Sequence, residues 1–333
     1  MQRQSWRTQP NPVSCRGRRR SGSDRIPLEC SVVVFPTGAQ YEIRSEDCVA
    51  VITELGATLR SVQIGGRDIV HGFPADKSPS GGRGQQLVPW PNRIRDGRYE
   101  FEGKPQQLAL TEPARHNANH GLGRYVPWRL LDHQDDAVTL HLVIYPQPGW
   151  PGILQAQVTY RVDAAGLTVE VEVANLGDNS IPFGYGAHPY LTVGETVVDE
   201  VLLEVPANRY LVVDDRLLPA DLQSVDGTEF DWRTAHRIND ATLDTAFTDL
   251  SRGADGRWEV NVRLADRCTY VWGDEHMRWT QVFTGGTSRD ISVAVEPMTC
   301  GPDAFNPGPT HDDLLVLRSQ QSFRLTWGIG TKS

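Results

Sequence analysis

The sequence predicts an all-β protein, a large antiparallel β-sandwich, on three observations. Apolar and polar side chains alternate with a period of two in several runs, turn residues punctuate those runs, and no window of helical length carries a 3.6-residue apolar period. The alternation is clearest in four places. Val138, Leu140, Leu142 and Ile144 interleave with Thr139, His141, Val143 and Tyr145. Leu167, Val169, Val171 and Val173 interleave with Thr168, Glu170 and Glu172. Trp258, Val260, Val262 and Leu264 interleave with Glu259, Asn261 and Arg263, and Phe323, Leu325 and Trp327 with Arg324 and Thr326. A strand sends successive side chains to opposite faces, so each run buries one face and wets the other, as antiparallel sheets do.

Further strand-like runs lie near 39–44, 49–64, 98–102, 153–162, 197–213, 268–273, 279–284 and 291–296. Asp96-Gly97, Glu102-Gly103, Ala165-Gly166, Asp226-Gly227 and Asp255-Gly256 supply the positive φ that hairpin turns require. There is no βαβ alternation and no internal repeat. One domain is expected over 39–333, preceded by a basic Ser/Pro/Arg-rich tail at 1–38 that reads as disordered or as upstream sequence.

Charge narrows the partners. Residues 1–26 hold seven arginines against the single acid Asp24, and removing that excess of six from the net charge of −9 leaves −15 for the rest. An acidic body argues against a nucleic-acid-binding face, which needs clustered Lys and Arg on phosphates. No apolar run reaches the roughly 18 residues of a membrane span, and no apolar stretch follows the basic residues as in a secretory signal. The five cysteines (Cys15, Cys30, Cys48, Cys268 and Cys300) are widely spaced without a C-x-x-C, which reads as reduced thiols and a cytoplasmic location. The sequence carries no signal for an oligomeric state.

The common catalytic motifs are missing: no G-x-G-x-x-G after a strand, no P-loop, no G-x-S-x-G elbow. His116 and His120 have an H-x-x-x-H spacing, but they sit in a loop-like segment with neither an intervening Glu nor a Cys ligand, so no metal is expected. What remains is a set of polar residues in short Gly/Pro-rich stretches between strands: Arg93, His120, His188, Asp244 and Glu296. Singly, each has a structural reading. A histidine before proline is ordinarily a hydrogen-bonded scaffold residue, Asp244 can begin a turn, and Cys300 is a small buried side chain. Glu296 ends an apolar strand, where a carboxylate is costly to bury unless paired, with Arg93 or another base as the partner.

In order along the chain, these stretches resemble the aldose 1-epimerase (mutarotase) family of the galactose-mutarotase-like superfamily. The similar segments are NRIRDGRYEFEG at 92–103, ARHNANHG at 114–121, GWPGILQAQVTY at 149–160, GYGAHPYL at 184–191, LDTAF at 243–247, QVFTG at 281–285 and EPMTCGPDAFN at 296–306. The resemblance implies a β-supersandwich that binds a small-molecule sugar in an open cleft and uses no cofactor. It implies that Glu296 is the catalytic base and His188 the catalytic acid, with Arg93, His120, Asp244 and Gln281 holding the sugar. Mutual attraction is expected to keep Glu296 ionised and His188 protonated at rest. The activity implied is interconversion of α and β anomers of an aldohexose by ring opening and closure.

One departure bears on the substrate: the galactose-preferring branch carries His-x-Tyr-Phe-Asn-Leu, whereas this chain reads His188-Pro189-Tyr190-Leu191-Thr192-Val193. Two alternatives therefore stand beside the neutral aldohexose. An epimerase of an anionic sugar, a 6-phosphate or sulfosugar, would use Arg95, Arg115 or Arg124, which lie near the motifs. A non-catalytic carbohydrate-binding sandwich would need no acid–base pair. A glycosidase would ordinarily need two carboxylates flanking the bond. Trp90, Trp128 and Tyr190 are candidates for stacking on the sugar, with core packing the commoner role.

Overall fold

Two large antiparallel sheets emerge from these alternations in the computed structural model, which describes residues 34–285 and 289–332. The tail expected over 1–38 lies, for residues 1–33, outside the described residues. Nine strands form the first sheet, in the order Arg129–His133, Ala137–Ile144, Leu154–Asp163, Gly166–Asn175, Ser322–Lys332, Arg267–Gly273, Trp258–Leu264, Leu202–Glu204 and His236–Arg237. The second runs Pro219–Ser224, Ala207–Val213, Asp244–Leu250, Trp279–Phe283, Val293–Met298, Gly186–Ala187 and Gln86–Leu87, with Tyr190–Leu191 also paired to Val293–Met298. Helical structure among the described residues is limited to short 3-10 turns. The all-β antiparallel reading holds.

The alternating residues do what their period dictates. Val138, Leu140, Leu167, Val169, Val171, Val173, Trp258, Val260, Val262, Leu325 and Trp327 enter one hydrophobic core shared with Phe247, Val282, Val293 and Val295 of the second sheet. Burying each such side chain contributes about 1.5–3 kcal/mol. The turn pairs also behave as expected: Glu102 and Gly103 both take positive φ between the paired strands Arg98–Phe101 and Lys104–Gln107.

Two runs divide where the sequence suggested continuity. The run at 49–64 becomes Cys48–Thr53 and Leu59–Ile64, because Gly56 turns at φ +71° and a Cβ there would stand 2.6 Å from the Arg124 carbonyl oxygen. The run at 197–213 is interrupted by a 3-10 turn at Val198–Glu200 and by Pro206, which has no N–H to donate. Its two pieces, Leu202–Glu204 and Ala207–Val213, join different sheets.

A buried polar relay crosses the core. Trp327 Nε1 donates to Tyr185 Oη at 2.8 Å, Tyr185 Oη donates to Gln86 Oε1, Gln86 Nε2 donates to Tyr160 Oη at 2.7 Å, and Tyr160 Oη donates to the Ala57 carbonyl. Tyr160 and Trp327 belong to the first sheet and Gln86 to the second, so the relay fixes their spacing. It also anchors the strand beside His188, whose backbone N–H donates to the Gln85 carbonyl at 3.1 Å. Tyr185→Phe strands the Trp327 donor and a Gln86 acceptor, and urea unfolding should show a loss of about 1–3 kcal/mol. An unchanged midpoint would mean the relay carries no net stability.

Candidate active site

The second sheet has two unlike faces, and the difference follows from strand alternation. Val293 and Val295 point into the core while Glu296 points to the opposite face. Gln281 is the direct cross-strand partner of Glu296, and Val282 beside it turns to the core. Asp244 opens the next strand, on the same face as Gln281, and accepts a hydrogen bond from Gln281 Nε2 at 2.6 Å. The LDTAF stretch at 243–247 thus contributes a strand as well as a turn, because Thr245 and Phe247 supply the buried face.

Asn92 links these carboxylates to Arg93. Its Nδ2 donates to Gln281 Oε1 at 3.4 Å, and its Oδ1 accepts from Arg93 Nη1 at 3.1 Å. The Arg93 guanidinium lies side-on to Glu112, with contacts of 2.9 and 3.1 Å. Burial works against the Glu112 charge, yet the Arg93 hydrogen bond and charge hold its carboxyl below the ordinary range. The sequence offered Arg93 as a partner for Glu296; Glu112 takes that place. Glu112 and Asn92 were missed as site residues. Nothing local marks Glu112, whose role comes from the pairing of Arg93–Arg95 with Asn117–Asn119.

His120 is pinned by a reciprocal pair of bonds with Asn92. Its N–H donates to the Asn92 carbonyl at 2.8 Å, and the Asn92 N–H donates to His120 Nδ1 at 3.1 Å. Both residues sit at positive φ, 53° and 60°, so the peptide units face each other. Because Nδ1 accepts, the neutral ring carries its proton on Nε2. Burial, then Arg124, keeps this imidazole well below the usual histidine range. His116 instead bonds the carboxylate of Asp96 at 2.9 Å, so the H-x-x-x-H pair shares no site. Among the described residues no group of three His, Cys, Asp or Glu side chains is placed to hold a metal ion.

His188 and Glu296 meet directly: Nε2 lies 3.2 Å from Oε1, with the residues 5% and 3% exposed. The His120 ring stands edge-on to His188 with centroids 5.6 Å apart. All six sequence candidates are therefore joined in one cluster. Burial bears against the expected charge state. Burial raises the Glu296 carboxyl well above its ordinary range, Asp244 adds to the effect, and Arg93 and Arg124 oppose it. Burial, then Arg124, lowers His188 to about 3. Burial thus opposes the charged form of both groups, against the mutual attraction that favours it. The charged and the neutral pair each hold one proton; they differ by its transfer along the Nε2···Oε1 line.

Of the three arginines near the motifs, Arg95 bonds Asp303 and Arg115 bonds Glu112. Arg124 is 9% exposed, with contacts of 3.4 Å to Gln85 Oε1 and the Asn119 carbonyl, and has no carboxylate partner among the described residues. Trp90 and Trp128 are core residues, while Tyr190 stacks on His188 with centroids 5.1 Å apart and planes 8° from parallel.

Comparison with known proteins places the chain in one family. The aldose 1-epimerase family matches residues 39–329. The uncharacterized protein YihR of Escherichia coli K12 is 34% identical over 306 residues, spanning 92% of this chain and 97% of its own. Rat galactose mutarotase is 27% identical over 212 residues, 58% of this chain and 60% of its own. The solved structure of a GalM/aldose epimerase homologue from C. elegans shares the fold, with a TM-score of 0.77 at 19% identity over 88% of this chain and 98% of that one. The family match runs from the first strand into the last and takes in the whole buried cluster, and this chain accordingly belongs to the aldose 1-epimerases, enzymes of the isomerase class.

Proposed function

We propose that this enzyme interconverts the α and β anomers of a free aldohexose, with Glu296 and His188 performing the proton transfers. The observation that carries the reading is the 3.2 Å contact between these two buried groups. The anomeric hydroxyl and the ring oxygen of a pyranose are bonded to the same carbon, so a donor and an acceptor one hydrogen bond apart can address both.

Ring opening uses the charged tautomer of the pair, formed when the shared proton moves from Oε1 to Nε2. Glu296 takes the proton of the anomeric hydroxyl, His188 gives its proton to the ring oxygen, and the C1–O5 bond breaks to leave the aldehyde. Glu296 is then the neutral acid and His188 the neutral base, which is the state that burial favours. Rotation about C1–C2 presents the other face. On closure His188 takes the C5 hydroxyl proton while Glu296 protonates the carbonyl oxygen, and the pair returns to its charged tautomer. His120, with its proton on Nε2, donates to a sugar oxygen. Arg93 keeps one N–H on each Nη beyond those bound by Asn92 and Glu112, and Asp244 and Gln281 take further hydroxyls.

A second reading rests on Arg124. A guanidinium with no carboxylate partner among the described residues, beside His120 and His188, favours a sugar bearing a phosphate or sulfonate. The buried free thiols of Cys48, Cys268 and Cys300 support a cytoplasmic setting. No helix among the described residues is long and apolar enough to cross a membrane.

Polarimetry of fresh α-D-glucose and α-D-galactose should show accelerated mutarotation. Glu296→Gln and His188→Asn should each lower kcat by about 10²–10⁴-fold, and a rate within a few-fold of wild type in either variant removes that residue from the mechanism. A panel including a sugar 6-phosphate and a sulfonated sugar decides the substrate. Acceleration confined to the anionic sugars, with KM raised at least about tenfold by Arg124→Gln, establishes the second reading.

The same Glu296→Gln variant should be more stable than wild type, by about 1–3 kcal/mol at pH 7 in urea unfolding. A carboxyl raised on folding contributes stability that is fully present below the unfolded value of 4.5 and is lost as pH rises through the folded one. The advantage of the glutamine should therefore widen from pH 5 to pH 8. A gap that is constant or narrows over that interval contradicts the raised carboxyl.

A further inference from the structure

The segment from Gly81 to Gln85 closes around His188. A Cβ on Gly82, at φ +76°, would stand 2.7 Å from His188 Cδ2, so the backbone lies against the ring edge. Gly84 N–H donates to the His188 carbonyl at 2.8 Å, and the Gly81 carbonyl accepts from Tyr190 Oη at 2.8 Å. Between them, Arg83 lays its guanidinium 4.3 Å from the centroid of the Tyr190 ring, the ring that stacks on His188.

Arg83 is held in turn. Its Nη2 meets Asp290 Oδ2 at 2.9 Å, and that oxygen also lies 3.3 Å from His71 Nδ1. The other Asp290 oxygen accepts from the Ser292 N–H at 2.8 Å. Burial resists the Asp290 charge, but His71, Ser292 and Arg83 bring its carboxyl down to about 2. An ionised, doubly held carboxylate therefore fixes a guanidinium on an aromatic face, and cation–π attraction fixes the ring.

We propose that Arg83 is a positioning residue for His188, acting through Tyr190: the guanidinium clamps the phenol ring, and the ring sets the plane of the imidazole opposite Glu296. The consequence for turnover rests on the epimerase reading above; the clamp itself does not. The charged and titratable groups around His188 are Glu296, His120, Tyr190, Arg124 and Arg93, and those around Arg83 are Asp290 and His71. Arg83 adds to the positive field that disfavours a second proton on the imidazole.

The test is a double-mutant cycle read by polarimetry and by histidine-ring NMR. Arg83→Gln should lower kcat about tenfold with KM within about twofold, and in a Tyr190→Leu background the same change should cost under about twofold. The ring-proton shifts of His188, assigned by their absence in His188→Asn, report its stacking on Tyr190 and should change in Arg83→Gln and in Arg83→Lys, but not when either change is made in the Tyr190→Leu background. An undiminished kcat in Arg83→Gln, or an equal loss with and without Tyr190, overturns the proposal. If Arg83→Gln does not fold, Arg83→Lys in the same cycle decides, since lysine keeps the charge but loses the planar contact. If wild type accelerates no sugar, the epimerase reading fails, while the ring-proton shifts of His188 still decide the clamp: a change in Arg83→Gln that disappears in the Tyr190→Leu background supports it, and no change refutes it.

Discussion

A carboxyl and an imidazole share one buried site and one proton, and the rest of the architecture answers to that constraint. Neither group can take its ordinary charge cheaply, because burial disfavours both ions. The pair satisfies itself with one contact, leaving His188 Nδ1 and Glu296 Oε2 buried without hydrogen-bond partners. Both atoms are polar and lie at the buried pair, where each can bond a hydroxyl or a water; a stranded polar atom costs about 1–3 kcal/mol.

Holding such a pair demands a stiff support, and the sandwich provides one from both sides of the second sheet. Toward the core, Val293, Val295, Val282 and Phe247 are packed into the shared hydrophobic interior. On the opposite face the same strands carry Glu296, Gln281 and Asp244, so strand register alone sets their spacing. The histidines come from loops, which need other restraints. His120 is fixed by two bonds to Asn92, and His188 by its contacts with the glycine-rich segment and the Tyr190 ring.

The division between strand and loop explains what the sequence disclosed. Alternation is a local property, so the runs around Val138, Leu167 and Trp258 could be read directly, as could the antiparallel class. The break at Pro206 was visible as a residue but not as a change of sheet, because which sheet a strand joins is decided by partners distant in sequence. Glu296 was conspicuous as a carboxylate closing an apolar strand. Its partner was not: Arg93 stands in an obvious motif, yet its bond goes to Glu112, brought near by the short pairing of Arg93–Arg95 with Asn117–Asn119. The burial that opposes both charges was not legible for a related reason. Attraction between two named residues can be inferred from their types, whereas desolvation depends on everything packed around them.

The arginines connect the buried pair to the proposed chemistry. Arg93, Arg124 and Arg83 all bear on His188, and together with burial they hold its proton affinity down. The same positive field favours negative charge, and the proposed ring opening develops it on the anomeric oxygen as its proton leaves. Arg93 and Arg83 are each offset by a carboxylate, Glu112 and Asp290, so their field is partly cancelled near the pair. Arg124 forms no ion pair among the described residues, although Glu112 and Glu296 act on it from a distance, and it stands first among the charges that depress both His120 and His188. An acidic substituent, in the proposed reading that includes one, would be drawn first toward Arg124.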